Sequence, residues 1–261
     1  MTTPSYAGRT ALITGGNAGL GLQFARQLGA AGCTLILVAR RKEKLDAVAD
    51  ELRSAHGVDV HPLVADLSDP DAPRALEEAV TALGLTVDVL VNNAGASGPH
   101  LLDDRDWAAQ ARFFELMVTS VAHMCHRFVP GMKARGYGRV VNVASVAGRV
   151  SRAAGGNYGP AKAYVIAMSE ELALLLHGTG VHVSALCPGF THTEFHEVGG
   201  LQDMKARLPT WMWYDADVVV AEGLAGVEAG RSVQISGRLY RWADPLLRAW
   251  WLAPFRRLAS R

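Results

Sequence analysis

Short apolar, β-rich runs alternate with helical stretches along most of this chain. No other feature restricts its fold as much. Thr10–Thr14 reads as a strand, and Asn17–Ala30 follows with helical periodicity. Thr34–Ala39 is the next strand, then Lys42–Ala55 a helix with one charged face. Val58–Val64 precedes a helix opened by Asp69-Pro70, aspartate as N-cap and proline in the first turn. Val87–Val91, Arg139–Val143, Val181–Leu186 and the short Arg231–Ile235 are further strands, with long helical stretches between the earlier ones. Strands that alternate with helices pair in parallel, so the expected class is α/β: a doubly wound parallel sheet with helices on both faces. No repeat, low-complexity tract or linker divides it. Residues 1–237 read as one domain and 238–261 as a Trp- and Arg-rich tail.

The totals exclude several alternatives. The 261 residues are 49% hydrophobic, enough for a core and too apolar for disorder. A formal charge of +1 provides no general attraction for nucleic acid. Met1–Arg9 is polar and lacks the apolar centre of an export signal, and no uncharged apolar run is long enough to span a bilayer. Cys33, Cys125 and Cys187 lie in apolar contexts and read as buried reduced thiols of a cytoplasmic protein. Nine scattered histidines, His123 and His126 among them, give no metal-ligand spacing, so no metal is expected.

Directly after the first strand comes Thr14-Gly15-Gly16-Asn17-Ala18-Gly19-Leu20-Gly21, and then a helix. Glycines let phosphate oxygens approach the backbone, and a helix start offers free N–H groups and a positive dipole end. A glycine-rich turn without a ligand is the bland alternative. The second strand ends in Ala39-Arg40-Arg41, where an NAD site places an acid for the ribose 2′-hydroxyl. Arginine instead matches a 2′-phosphate, which favours NADP(H) over NAD(H). Two solvated arginines at a helix start would look the same.

Tyr158 and Lys162 are four residues apart, on one face of a helix, and Ser145 precedes the tyrosine by thirteen. A free tyrosine, with a pKa of about 10, is a poor catalyst at neutral pH. A cation beside it favours the phenolate, by roughly 4 kcal/mol at ~4 Å and an effective dielectric of ~20.

These pieces, with Asp66-Leu67, Asn92-Asn93-Ala94-Gly95 and Pro188-Gly189, together resemble the short-chain dehydrogenase/reductase family from about Arg9 to Ile235. The resemblance implies a Rossmann-type fold and an NADP(H)-dependent oxidoreductase that interconverts a ketone and a secondary alcohol. It implies that Thr14, Gly15, Asn17, Gly19, Leu20 and Gly21 form the phosphate turn, and that Asp66 and Leu67 meet the adenine. Asn93, Ala94 and Gly95 would pack on its ribose. Lys162 would bond the nicotinamide ribose and lower the tyrosine pKa. Tyr158 would pass a proton to or from the substrate oxygen that Ser145 holds. Pro188, Gly189, Thr191 and Thr193 would lie near the carboxamide. Elementary chemistry agrees, since hydride transfer builds negative charge on an oxygen that two hydroxyls can stabilise. A homodimer or homotetramer is the implied assembly.

One position departs from the pattern. Many members carry a catalytic asparagine thirteen residues before the proline of a Pro-x-Met helix end. Here that ending is Pro130-Gly131-Met132, and the position is Met117. A thioether cannot hold the water that the amide would hold. Thr119 or Ser120 carries the water, or the proton relay is weakened, or the protein is a non-catalytic NADP-binding regulator or scaffold.

Three segments should line the substrate end: Ser97–Trp107, Ala147–Asn157 and Phe190–Trp213. The last, with Phe190, Phe195, Met204, Trp211, Met212, Trp213 and, just beyond it, Tyr214, suggests either a lid over a bulky apolar carbonyl or alcohol, or side chains that pack the loop down. His192 and His196 read as exposed loop residues, with contact to the ligand as the alternative. The tail packs on the domain or a partner subunit, lies peripherally on a membrane surface, or is disordered.

Overall fold

The computed structural model describes residues 6–150, 156–192 and 209–248. The expectations for Thr193, Phe195, His196, Met204, the loop 151–155 and the tail beyond 248 lie outside these residues.

Nine strands are described: β1 (Thr10–Thr14), β2 (Thr34–Ala39), β3 (Val60–Val64), β4 (Val89–Asn92), β5 (Gly138–Val143), β6 (Val181–Cys187), β7 (Phe190–Thr191), β8 (Trp213–Tyr214) and β9 (Val233–Ile235). The helices are α1 (Gly19–Ala30), α2 (Lys42–His56), α3 (Ala72–Ala82), α4 (Trp107–Phe114), α5 (Ser120–Arg135), α6 (Tyr158–Leu175), α7 (Ala216–Glu228) and α8 (Arg238–Arg248). Seven strands form one parallel sheet in the order β3-β2-β1-β4-β5-β6-β9, while β7 and β8 pair separately.

Every residue of β1 is buried, which is why the strand reads as a continuous apolar run. Alternate side chains feed opposite faces. Ile13, Leu37, Val91 and Val141 meet Phe24 and Leu28 of α1, Leu45 of α2 and Val220 of α7. Leu12, Ile36, Leu90 and Val140 meet Leu76 of α3 and Met124 and Phe128 of α5. Register places Leu12 opposite Ile36 and Leu90, so both layers stay in step across the sheet. Strand order reverses between β1 and β4, and a crevice opens there beyond the carboxyl ends.

Several boundaries differ from expectation by one or two residues, among them the starts of β4 and β9, and three of the differences have a physical reason. Helix α1 begins at Gly19, because residues before it form the turn. Helix α3 is flanked by Asp71 with Pro73 in its first turn, not by Asp69-Pro70. The Asp69 carboxylate instead accepts the Asp71 N–H at 3.0 Å, which makes a turn before the helix. Strand β3 starts at Val60 and tolerates Pro62 because it is an edge strand. A π-helical turn, Glu115–Thr119, joins α4 to α5.

Candidate active site

A cavity of about 1010 Å³ runs along the carboxyl ends of the strands. Gly15, Asn17, Gly19, Leu20, Arg40, Arg41, Asp66, Leu67, Asn93, Ala94 and Gly95 line it toward one end. Ser145, Tyr158, Lys162, Pro188, Gly189 and Thr191 line it toward the other. Thr14 and Gly21 are not in its wall; they shape the turn from behind.

Gly15 and Gly19 have φ of 65° and 52°, the left-handed region that glycine enters without strain. The Thr14 hydroxyl accepts the N–H groups of Asn93 at 2.9 Å and Ala94 at 3.0 Å, and donates to the Val91 carbonyl. The Asn93 amide donates back to the carbonyls of Thr14 at 2.9 Å and Gly15 at 3.3 Å. The turn after β1 and the end of β4 are thus stitched together. Ala18 precedes α1 in extended conformation and gives no side-chain cap. The free N–H groups of that first turn, with Gly19 and Leu20 in the cavity wall, fit a phosphate.

At the end of β2, Arg40 is exposed, with Nη1 3.9 Å from Asp66. Such an exposed pair contributes little and leaves the guanidinium free to turn to another anion. Partial burial works to raise the Asp66 carboxyl, but the Ser68 N–H and O–H and the Arg40 cation hold it below its ordinary value.

At the opposite end, Ser145 follows β5, and its oxygen accepts the Ala147 N–H at 3.1 Å. Tyr158 opens α6, and Lys162 stands one turn on. The ammonium lies 5.8 Å from the tyrosine ring centroid and donates to the Val143 carbonyl at 2.7 Å. Its place below the ring thus rests on the backbone of β5. Burial pushes the Lys162 amine down to about 8 from 10.5, with Cys187 opposing weakly. Between those values the unfolded chain binds more protons than the folded one, so stability from this group rises with pH across that window. Below it, the lysine is charged in both states and carries the full cost of burial. In the cofactor-free protein, the melting temperature of wild type relative to Lys162→Met therefore climbs from pH 8 to pH 10. A constant difference between the two melting curves contradicts the assignment.

Met117 is 1% exposed in the π-helical turn. Its sulfur accepts the Ala96 N–H at 3.3 Å, and it packs with Phe113, Ala161 and Tyr158. The substitutes expected for an amide here are displaced. Ser120 is buried and donates to the Leu116 carbonyl one turn back at 2.8 Å, and Thr119 is exposed. Neither lines the cavity.

The substrate-side segments contribute Ser97, Gly98, Ala147, Val150, Gly156 and Phe190 to the wall. Trp213 instead stacks on His192 and meets Phe190 at a tilt, each ring 5.3 Å away, and Trp211 is exposed. Arg149 also lines the cavity, paired with Asp244 of α8. Sequence reading missed this contact, since the partners are 95 positions apart and belong to no local pattern. The described part of the tail packs on its own chain: the Tyr240 hydroxyl donates to the Met212 carbonyl at 3.0 Å and accepts the Phe190 N–H at 3.3 Å. The three cysteines are buried free thiols. No described helix is long and apolar enough to cross a membrane.

Comparison with known proteins gives the family. A family model described as short chain dehydrogenase matches residues 9–200. A granaticin polyketide synthase protein of Streptomyces violaceoruber, named for ketoacyl reduction, is 37% identical over 198 residues, covering 75% of this chain and 72% of that one. A short-chain dehydrogenase from Sphingobium yanoikuyae in complex with NADPH is 32% identical, with TM-score 0.80 over 91% of this chain and 92% of that one. A short-chain dehydrogenase/reductase from Burkholderia phymatum in complex with NAD is 26% identical, with TM-score 0.82 over 94% of each.

Proposed function

The chain belongs to the short-chain dehydrogenase/reductase family, and from that premise we propose that it moves a hydride between NADP(H) and a hydrophobic ketone or secondary alcohol, with Tyr158 as general acid-base. It is an oxidoreductase of that family. The observation that carries the finer reading is a single one. The uncapped start of α1 and the Ser145–Tyr158–Lys162 group line one cavity of about 1010 Å³.

The bound dinucleotide supplies or accepts the hydride. The chain's own residues do the rest. The turn at Gly15–Gly21 and the start of α1 bind the phosphates. Asp66 and Leu67 hold the adenine, and Asn93–Gly95 the adjoining ribose. Lys162 orients the second ribose, with Pro188, Gly189 and Thr191 beside the carboxamide. Ser145 donates a hydrogen bond to the substrate oxygen, and Tyr158 passes that oxygen its proton in reduction or removes it in oxidation. Apolar groups at this end (Ala96, Met117, Ala147, Val150 and Phe190) support an apolar substrate and exclude water.

NADP(H) is preferred, on this reading, because Arg40 and Arg41 stand where an acid would hold a bare ribose hydroxyl. Relatives with NADPH and with NAD both exist, so the preference rests on these arginines. Arg40→Ala should raise KM for NADPH about tenfold or more while leaving NADH unchanged, since a hydrogen bond to a charged group contributes about 1.5–3 kcal/mol. Equal effects on the two coenzymes would remove Arg40 from the assignment.

The non-catalytic regulator rests on Met117 alone. A panel of apolar ketones, assayed by NADPH oxidation, decides. Turnover supports the proposal, whereas silence together with tight NADPH binding overturns it. We place the enzyme in the cytoplasm as a homodimer or homotetramer. Its buried thiols and the exposed Tyr164, Leu174 and Leu175 on α6 support that placement. Residues 1–237 serve as the catalytic domain, and the described part of the tail packs on it through Tyr240 and Asp244.

A further inference from the structure

Arg149 lies four residues beyond Ser145 and lines the same end of the cavity. Its side chain is 9% exposed, a costly place for a cation. The Nε and Nη2 groups donate to the two carboxylate oxygens of Asp244, the second at 2.5 Å. This is the planar fork that guanidinium groups present to carboxylates. The Asp244 side chain is itself 14% exposed.

The carboxylate arrives from α8, which is seated by Tyr240 one turn earlier. A Cβ on Gly189 would overlap the Tyr240 ring, so only glycine in the cavity wall admits this approach. Among the described residues, Cys187 and Glu170 are the other titratable groups whose charge reaches Arg149, Lys162 lies beyond Cys187, and none of the three is hydrogen-bonded to the guanidinium.

A buried arginine in the wall of a carbonyl-binding cavity is the ordinary device for selecting acid-bearing substrates, because its fork matches a carboxylate. In this chain the fork is already filled from within. We propose that Asp244 is an internal carboxylate that occupies the Arg149 subsite and restricts the cavity to uncharged carbonyl substrates. A substrate carboxylate would have to expel Asp244, or leave water beside a pair already neutral, while the other described cation at this end, Lys162, is directed at the Val143 carbonyl. The pair therefore determines specificity by an occupied site rather than by a missing one. This inference rests on reading the cavity as a carbonyl site, but the anion subsite can be tested without turnover.

Asp244→Asn keeps the shape and removes the charge. The first measurement is the melting temperature of the NADPH-loaded protein against sodium formate, with sodium chloride at equal ionic strength as control. Asp244→Asn leaves the guanidinium without its counter-charge, so it should melt below wild type and recover as formate, drawn by that charge, displaces the neutral amide from the fork. Wild type and the Arg149→Gln/Asp244→Asn double variant should respond to formate no more than to chloride. If Asp244→Asn is insoluble, recovery of folded protein on refolding in formate becomes the readout, and no recovery overturns the proposal. The second measurement is kcat/KM for a ketone bearing a carboxylate and for its methyl ester. Wild type and Asp244→Glu should prefer the ester. In Asp244→Asn the ratio should move toward the acid by about tenfold or more, the scale of one hydrogen bond to a charged group. A formate response without turnover on either ketone would uphold the subsite and fail the enzymatic reading. An unchanged ratio, or a formate response equal to that of chloride, would overturn the proposal.

Discussion

Tyr158→Phe should lose about a hundredfold or more in kcat, the usual contribution of a positioned general acid, while NADPH affinity and melting temperature stay close to wild type. The substitution removes one hydroxyl and leaves the ring, which packs with Met117 and Ala161. The fold therefore has little to lose. The chemistry has much to lose, because no neighbour can take over. Ser145 is a poor proton source, and its oxygen already accepts the Ala147 N–H. Lys162 is directed at the Val143 carbonyl from a buried position. Steady-state NADPH oxidation on any accepted ketone, with cofactor affinity measured by fluorescence, checks both halves. A Phe variant that retains most of the turnover would move the proton-transfer role elsewhere.

Gly21→Val should abolish dinucleotide binding at ordinary concentrations and destabilise the protein by about 1–3 kcal/mol, the usual cost of overpacking. Gly21 lies behind the turn. A Cβ there would collide with the Gly15 carbonyl oxygen and come within 2.6 Å of Asn93 Nδ2. Neither neighbour can move alone. Asn93 Nδ2 holds the carbonyls of Thr14 and Gly15, and Gly15 N–H is held at 2.8 Å by the Val38 carbonyl. The turn must open, and with it the cradle at the start of α1. Calorimetric titration with NADPH and a denaturant melt measure the two effects separately. A Gly21→Val protein that binds NADPH like wild type would show that the phosphates lie elsewhere.

The sheet was legible because a parallel strand buried on both faces leaves a strong local mark, as in the runs at Thr10–Thr14 and Thr34–Ala39, whose limits the structure matches. Helix starts were less legible. At α3 two aspartate-proline signals compete within five residues, and the turn made by Asp69 gives the helix to the later one. The cavity-lining glycines, Tyr158 and Lys162 could be found because each is fixed by local geometry: a backbone turn or one helical face. What holds the lysine could not. Its bond to Val143 depends on the distance between β5 and α6, which no local pattern encodes. The π-helical turn that sets Met117 against Ala96 was hidden for the same reason, and so was the approach of Asp244 to Arg149.

The proposed function requires one cavity to hold the dinucleotide and to present a carbonyl oxygen to Tyr158 and Ser145. A crystal structure of the protein with NADPH and an unreactive apolar alcohol tests it most directly. Phosphates are expected at the start of α1, and the alcohol oxygen within hydrogen-bond reach of both hydroxyls, about 2.6–3.2 Å. An alcohol oxygen bonded to neither, with the nicotinamide ring turned away from Tyr158, would contradict it.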